Sequence, residues 1–148
     1  MGVAVRSVES VQPFSVGSGL RGPGARVERQ RRGQLSCLTG FAAEGAVSWA
    51  YIRAGYVALA ERWRGQSGEI DLIFDEGQGL VFVEVKAARD FERAALSLGA
   101  RQRQRIVAAA EEYLALVPGG HVRNVRFDLA LVDGMGRVRV LENAFGEF

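Results

Sequence analysis

The chain has 148 residues and a formal net charge of +2, and 48% of its residues are hydrophobic. These values predict one soluble globular domain, and without an apolar run of 18 residues no membrane span is expected. The single cysteine and single histidine exclude an internal disulfide and zinc sites built from several thiolates or imidazoles. Any bound metal would therefore be held mainly by oxygen atoms, which favours Mg²⁺ or Mn²⁺.

Basic charge is concentrated near the N-terminus. Residues 1–35 carry six arginines against two glutamates, a local charge of +4, whereas residues 36–148 carry 13 basic and 15 acidic groups. We expect residues 1–36 to form a basic, disordered leader, because they are rich in Gly, Ser and Arg and lack helical or strand periodicity. Contact with nucleic acid or another acidic surface is the alternative. Residues 37–148 are expected to form the folded domain.

The first predicted elements of this domain are a helix and a strand. The helix follows Thr39, a candidate N-cap, and ends at Gly55, which suits the left-handed residue that terminates many helices. Residues 56–63 are the first predicted strand, and a polar connection follows at 64–68.

Two segments that alternate apolar and polar residues, GEIDLIF (68–74) and GLVFVEVK (79–86), predict a β-hairpin. A two-residue turn at Gly77 and Gln78 fixes its register. The predicted pairs are Phe74 with Val81, Leu72 with Val83 and Ile70 with Val85 on one face, and Ile73 with Phe82, Asp71 with Glu84 and Glu69 with Lys86 on the other. The hairpin is therefore expected to turn one face to the core and to carry a charged cluster on the other.

A helix and two strands are predicted beyond the hairpin. After a polar segment at 87–100, residues 101–117 place their apolar side chains on one helical face, and strands are predicted at 124–133 and 137–145. A strand, a helix and a strand in succession imply a right-handed crossover and a parallel pair. The sequence therefore predicts an α/β fold with a mixed sheet.

Lys86 is the only lysine among the 19 basic residues of the chain. Its ammonium is a compact charge, whereas the guanidinium of arginine is planar and permanently protonated. In the predicted register Lys86 lies beside Asp71 and Glu84, whose ionised carboxylates would repel each other by roughly 3 kcal/mol at about 5 Å and an effective dielectric of about 20. A shared proton, the lysine or a divalent cation could relieve this repulsion. A solvated cluster of salt bridges is the alternative interpretation.

The same segments carry a resemblance to a known family. GEIDLI, a short Gly-containing turn, LVFVEVK and then RFDLALV and ENAF resemble the signature of the small bacterial YraN-like family. That family lies within the restriction-endonuclease-like, PD-(D/E)xK nuclease superfamily, and the resemblance covers roughly residues 40–145. It implies an α/β, restriction-endonuclease-like core in which helices flank a mixed β-sheet of about five strands.

The resemblance also implies a function. It suggests a metal-dependent nuclease that hydrolyses phosphodiester bonds in DNA, with branched or damaged DNA as candidate substrates and DNA repair or recombination as the setting. Asp71, Glu84 and Glu44 match carboxylates that hold Mg²⁺ or Mn²⁺, and with Lys86 they form the expected catalytic set. Phosphate contacts are expected from four arginines: Arg89, Arg101, Arg103 and Arg105. Glu69 has two open roles, as a cross-strand partner of Lys86 or as a metal ligand.

The chain departs from the family pattern at two places. Ala43 stands where relatives often have Gly, and Arg101, Gln102 and Arg103 stand where the family commonly shows a lysine. Because arginine contacts phosphate at least as well as lysine, phosphate binding is expected to survive there. The alternative functions are a catalytically inactive nucleic-acid-binding protein of the same fold and a protein-interaction module. A cytoplasmic location and a homodimer are further expectations.

Overall fold

The computed structural model describes residues 5–8 and 25–145, with side chains from residue 39 onwards. Its elements in chain order are β1 (Val5–Val8), α1 (Ala25–Arg53), β2 (Val57–Arg64), β3 (Glu69–Asp75), β4 (Gly79–Ala87), α2 (Phe91–Leu96), α3 (Ala100–Leu116), a short 3-10 helix (Gly120–Val122), β5 (Asn124–Val132) and β6 (Val138–Leu141). None of the described helices is long and apolar enough to span a bilayer.

The strands form one mixed sheet in the order β1-β6-β5-β4-β3-β2. β4 and β5 are parallel, as predicted, and every other neighbouring pair is antiparallel. Both α2 and α3 lie in the crossover between the parallel strands. Strands β2 to β6 confirm the α/β fold with a sheet of about five strands, and β1 adds a sixth strand by pairing with β6.

Helices cover both faces of the sheet. α1 packs on one face, where Val47 and Tyr51 are buried with Leu72, Phe74, Val81 and Val83. On the other face, Ile106, Ala109 and Ala110 of α3 are buried with Ile70, Ile73, Leu80 and Phe82. The core therefore consists of two apolar layers separated by the sheet, as in other folds with helices on both faces of a sheet.

The hairpin has the predicted register from Leu72–Val83 to Phe74–Val81. Gly77 has a φ of 96°, which confirms the Gly-first turn. Two predictions about its faces were wrong. Ile70 packs with the α3 layer instead of with Leu72. The second face is also mainly core, because the apolar stripe of α3 covers its centre and leaves the charged residues at one end.

Several element boundaries differ from those predicted. α1 begins at Ala25 rather than after Thr39, so it runs through position 36 without a break, and β1 also lies within the predicted leader. The predicted disorder of residues 1–4 and 9–24 falls outside the described residues. α2 was missed, although its N-cap Asp90 accepts a hydrogen bond from the Arg93 amide. β6 ends at Leu141, four residues earlier than predicted.

A buried carboxylate joins α1 to the sheet on the α1 side. Asp128 of β5 has no exposed surface and accepts hydrogen bonds from the Tyr51 hydroxyl at 2.7 Å and from the Asn143 amide at 3.0 Å. Arg126 donates to both of its oxygens, at 2.8 and 3.0 Å. Since charged groups are buried only when they are paired, this cluster has a structural role that fixes α1, β5 and the segment after β6 relative to one another.

Candidate active site

The candidate site begins where the β3–β4 ladder ends. The backbone pairing of β3 with β4 ends at Leu72–Val83. Beyond it, the Asp71 carboxylate accepts a hydrogen bond from the Val85 amide at 2.8 Å, so the Asp71 side chain takes the place of a β3 backbone carbonyl as the acceptor. Asp71 is thereby fixed beside β4, close to the neighbouring acidic residue of that strand, Glu84.

Glu84 is the central carboxylate of the site. Only 4% of its surface is exposed. Its Oε1 lies 3.1 Å from the Lys86 ammonium and accepts a hydrogen bond of 2.6 Å from the Gln102 amide nitrogen of α3. Glu84 and Lys86 are two residues apart on β4, so their side chains leave the strand on the same side. The sequence motif therefore places a cation directly against a buried anion.

The electrostatic environment of the two carboxylates disfavours two negative charges. Burial raises the pKa of Glu84 from 4.5 to about 8, the charge of Asp71 adds to this rise, and Lys86 opposes it. Burial also raises the pKa of Asp71, against the effect of the Val85 amide. Without a further cation, the pair therefore disfavours the state in which both carboxylates are ionised.

Glu44 approaches the pair from α1 but has a different direct partner. Its carboxylate lies 3.1 Å from the Arg62 guanidinium. Burial and then the charge of Asp71 raise the pKa of Glu44, so the two groups are close enough to interact. Within residues 39–145, no group of three or more Asp, Glu, His or Cys side chains is arranged to hold a metal ion. The metal role predicted for Glu44 stays a prediction.

The chemistry of Asp71 and Glu84 nevertheless fits Mg²⁺ or Mn²⁺. Mg²⁺ is commonly bound through one or two carboxylates while it keeps several waters. Both carboxylates here are held by neighbours, Asp71 by a backbone amide and Glu84 by an amide and an ammonium. Burial raises the pKa of both carboxylates, and their mutual repulsion adds to the rise for Glu84, so two negative charges in this site are disfavoured. A divalent cation would offset these negative charges.

A cleft of about 250 Å³ opens onto this pair. It lies between the β2–β3 connection and α3 and is lined by Gly68, Glu69, Asp71, Glu84, Gln102 and Arg105. Glu69 at its edge pairs with Arg64 at 2.6 Å and lies 3.9 Å from Arg62. Its observed ion pairs are thus with arginines of β2, whereas Lys86 pairs with Glu84.

The four predicted phosphate-binding arginines have different positions. Arg105 lines the cleft, and Arg101 and Arg105 together line a second, open cleft of about 530 Å³. Arg103 lines neither cleft and is exposed. Arg89 is also exposed and follows β4, where its backbone carbonyl accepts a hydrogen bond from Gly134. Two of the four arginines therefore lie by the site.

Sequence reasoning missed two residues of the site, Gln102 and Arg62. Gln102 lies four residues before the buried Ile106 and seven before Ala109, so it is a polar residue on the buried face of α3. A polar residue on a buried helical face could therefore have been predicted as part of the site. No sequence signal pointed to Arg62. Its backbone is left-handed, with φ of 49°, a conformation that usually indicates glycine, and its side chain reaches Glu44 from there.

Comparison with known proteins places the chain in a family. A model of the family described as Uncharacterised protein family UPF0102 matches residues 43–132, which contain the whole candidate site. The chain is 56% identical over 115 residues to the UPF0102 protein SPO0400 of Ruegeria pomeroyi, covering 78% of this chain and 94% of that protein.

Two further relatives show the same extent of similarity. Identity is 47% over 119 residues with the UPF0102 protein RD1_1191 of Roseobacter denitrificans, covering 80% of this chain and 92% of that protein. It is 49% over 115 residues with a UPF0102 protein of Dinoroseobacter shibae, covering 78% and 86%. The chain therefore belongs to UPF0102, the YraN-like family of the restriction-endonuclease-like nuclease superfamily.

Proposed function

We propose that the protein is a metal-dependent nuclease that hydrolyses phosphodiester bonds in DNA. The observation that carries this proposal is a nearly fully buried carboxylate, Glu84, which lines a cleft with Asp71 and lies 3.1 Å from the Lys86 ammonium. A sheet built only for stability avoids placing like charges together. Strongly perturbed ionisable groups in a cleft are typical of functional sites.

Asp71 and Glu84 are the residues that would hold Mg²⁺ or Mn²⁺. An ion bound there would polarise a phosphoryl oxygen and lower the pKa of a bound water. The two carboxylates would be ionised in that state, because metal ligands bind in their deprotonated form. The Val85 amide and the Gln102 amide keep the two acceptor oxygens oriented, which agrees with the role of outer hydrogen bonds around metal ligands.

Lys86 and Arg105 supply further positive charge close to the cleft. The Lys86 ammonium lies 3.1 Å from Glu84, where its charge would offset negative charge that develops on the phosphate oxygens. Arg105 lines the same cleft and suits a phosphate oxygen pair. In this arrangement a guanidinium could not replace Lys86, because its planar fork needs more space than a compact ammonium.

A catalytically inactive nucleic-acid-binding protein is the second candidate. The observation in its favour is the Glu44–Arg62 pair, which leaves two carboxylates for a metal in the described part of the chain. A site with two protein ligands binds Mg²⁺ weakly unless substrate phosphates complete its coordination. If the protein has this second function, the Glu84–Lys86 pair has a structural role and does not support cleavage.

Two measurements on the full chain decide between these functions. Calorimetric titration with Mn²⁺ should show binding to the wild type and none to Asp71→Asn. Cleavage of linear, forked and four-way DNA should require Mg²⁺ or Mn²⁺ and should be lost in Lys86→Ala, which keeps both carboxylates. Metal binding without cleavage of any substrate would favour the inactive protein.

We propose a cytoplasmic location and a homodimer as well, and sedimentation tests the homodimer.

A further inference from the structure

The start of α3 carries arginines that have no acidic partner. Elsewhere in residues 39–145, six arginines form ion pairs with acidic side chains and three do not: Arg62, Arg64, Arg93, Arg123, Arg126 and Arg137 are paired, and Arg53, Arg89 and Arg139 are not. Arg101, Arg103 and Arg105 make no ion pair with any described residue. Free guanidinium groups close to a candidate nuclease site are available to bind phosphate.

Helical geometry separates these three arginines into two groups. At about 100° per residue, Arg101, Arg105 and Ala108 fall within about 60° of one another, whereas Arg103 lies about 160° from Arg105. The residues of α3 that line the second cleft are Arg101, Gln104, Arg105 and Ala108, which agrees with this stripe. Arg101 and Arg105 therefore present their charge along one surface, and Arg103 points elsewhere.

The second cleft adjoins the candidate active site at Arg105. Arg105 lines both clefts, and Ser67 of the β2–β3 connection forms the opposite wall of the second. That wall is anchored, because the Glu112 carboxylate of α3 accepts hydrogen bonds from the Gln66 and Ser67 amides at 2.6 and 2.8 Å. The two clefts are thus neighbours on either side of Arg105, and we call the second cleft, with its anchored wall, the channel.

The spacing along this channel suits a polynucleotide backbone. Arg101 and Arg105 are four residues apart, which separates them by about 6 Å along the helix axis. Two nucleotide steps of a stacked strand cover about 7 Å at about 3.4 Å per step. A phosphate in the active-site cleft and the next phosphates of the same strand could therefore lie along Arg105 and then Arg101.

The depth of the site favours one strand over two. Glu84 is buried and lines the same cleft as Asp71, so a scissile phosphate must enter that cleft to reach them. A regular duplex keeps its phosphates on a stiff cylinder, whereas an unpaired strand bends freely. Two arginines are also few for a duplex, whose binding commonly uses six or more phosphate contacts.

From these observations, and resting on the proposed function of the neighbouring cleft, we propose that the channel lined by Arg101, Arg105 and Ser67 binds the backbone of single-stranded DNA. It leads an unpaired strand to Asp71 and Glu84. The substrates that fit are single-stranded ends, flaps and the unpaired arms of forked DNA.

Binding of labelled DNA to the full chain, with EDTA present so that no cleavage occurs, tests this proposal. A short oligothymidylate and a duplex of the same length are compared by fluorescence anisotropy over about 50 to 200 mM salt. The single strand should bind more tightly than the duplex. Arg101→Ala and Arg105→Ala should each reduce the slope of log K against log salt by about 0.7, the value for one phosphate of a single strand.

Arg103→Ala is the matched control, because it removes the same charge from the same helix outside the channel. Its slope should equal that of the wild type. All three arginines are exposed and alanine favours helices, so the variants should fold. Equal or tighter duplex binding, or an equal loss in Arg103→Ala, would overturn the proposal. Because cleavage plays no part, absence of nuclease activity would refute the proposed function and leave this result standing.

Discussion

Replacing Glu84 with Gln tests whether the fold holds this carboxylate at an electrostatic cost. Its folded pKa of about 8 lies above its ordinary value of 4.5, so between these pH values the folded state binds more protons than the unfolded state. The resulting stability is fully present below pH 4.5 and is lost as pH rises through about 8. Asp71 and Glu44, whose pKa values are also raised, act in the same direction.

Other carboxylates do not mask this effect. The pKa values of Asp75 and Asp133 are lowered from 3.8, so the stability that these two carboxylates contribute is present above pH 3.8 and is lost only in more acidic solution. Each pKa unit corresponds to about 1.4 kcal/mol, which makes the Glu84 contribution a few kcal/mol and at most about 5 kcal/mol. That is a large share of the roughly 5 to 15 kcal/mol that stabilises a typical domain.

Urea unfolding in EDTA at about pH 5 and about pH 9 measures the effect. The free energy of unfolding of the wild type should fall by a few kcal/mol between these values, and that of Glu84→Gln should change much less. At the higher pH the variant should be the more stable protein. Mn²⁺ should restore stability to the wild type but not to the variant. A wild type with constant stability over this range, or a variant that is less stable at high pH, would refute the reasoning.

Three other substitutions have defined outcomes. Lys86→Arg should keep Mn²⁺ binding by calorimetry but lower the rate of DNA cleavage about 100-fold or more, and unchanged cleavage would contradict the assigned role. Gln102→Ala should weaken Mn²⁺ binding about 10- to 100-fold by releasing the buried carboxylate, whereas the neighbouring Gln104→Ala should bind like the wild type. Tyr51→Phe removes a donor from the fully buried Asp128 and should lower the free energy of unfolding by about 1 to 3 kcal/mol in urea denaturation, and no loss would show that the hydrogen bond contributes nothing.

The part of the fold that the sequence predicted depends on short-range pattern. Alternation of apolar residues and a Gly-first turn fix the β3–β4 hairpin, because a slip by one residue would expose every core side chain. This register ends at Leu72–Val83 and leaves Asp71 beside β4, where it accepts a hydrogen bond from the Val85 amide, and the motif on β4 places Lys86 on the same side as Glu84. These contacts lie within one hairpin, so the local pattern contains them.

The parts that the sequence did not predict depend on how distant elements pack. The Gln102–Glu84 hydrogen bond exists because α3 docks on the end of the hairpin. Ile70, which was predicted on the other face, joins the α3 layer because that helix offers an apolar surface on the face where a charged cluster was expected. Glu44 was expected at a metal, but Arg62 reaches it from β2 through a left-handed residue that no motif signals.

The two unpaired channel arginines illustrate a third case. The sequence indicated four arginines of equal standing, and only the helical phase of α3 and the position of the β2–β3 connection distinguish Arg101 and Arg105 from Arg103 and Arg89. Helical phase could have been derived from the apolar residues of α3. The opposite wall could not, because it is held by Glu112 through backbone amides that are 45 and 46 residues away in sequence.

Metal binding by Asp71 and Glu84 together, next to Lys86, is what the proposed function requires. Anomalous diffraction from crystals of the protein soaked with Mn²⁺ measures this most directly, since it locates the ion itself. We expect a peak bonded to both carboxylates that is absent in crystals of Asp71→Asn. A well-ordered site without a peak at saturating Mn²⁺, or a peak bonded to neither carboxylate, would contradict it.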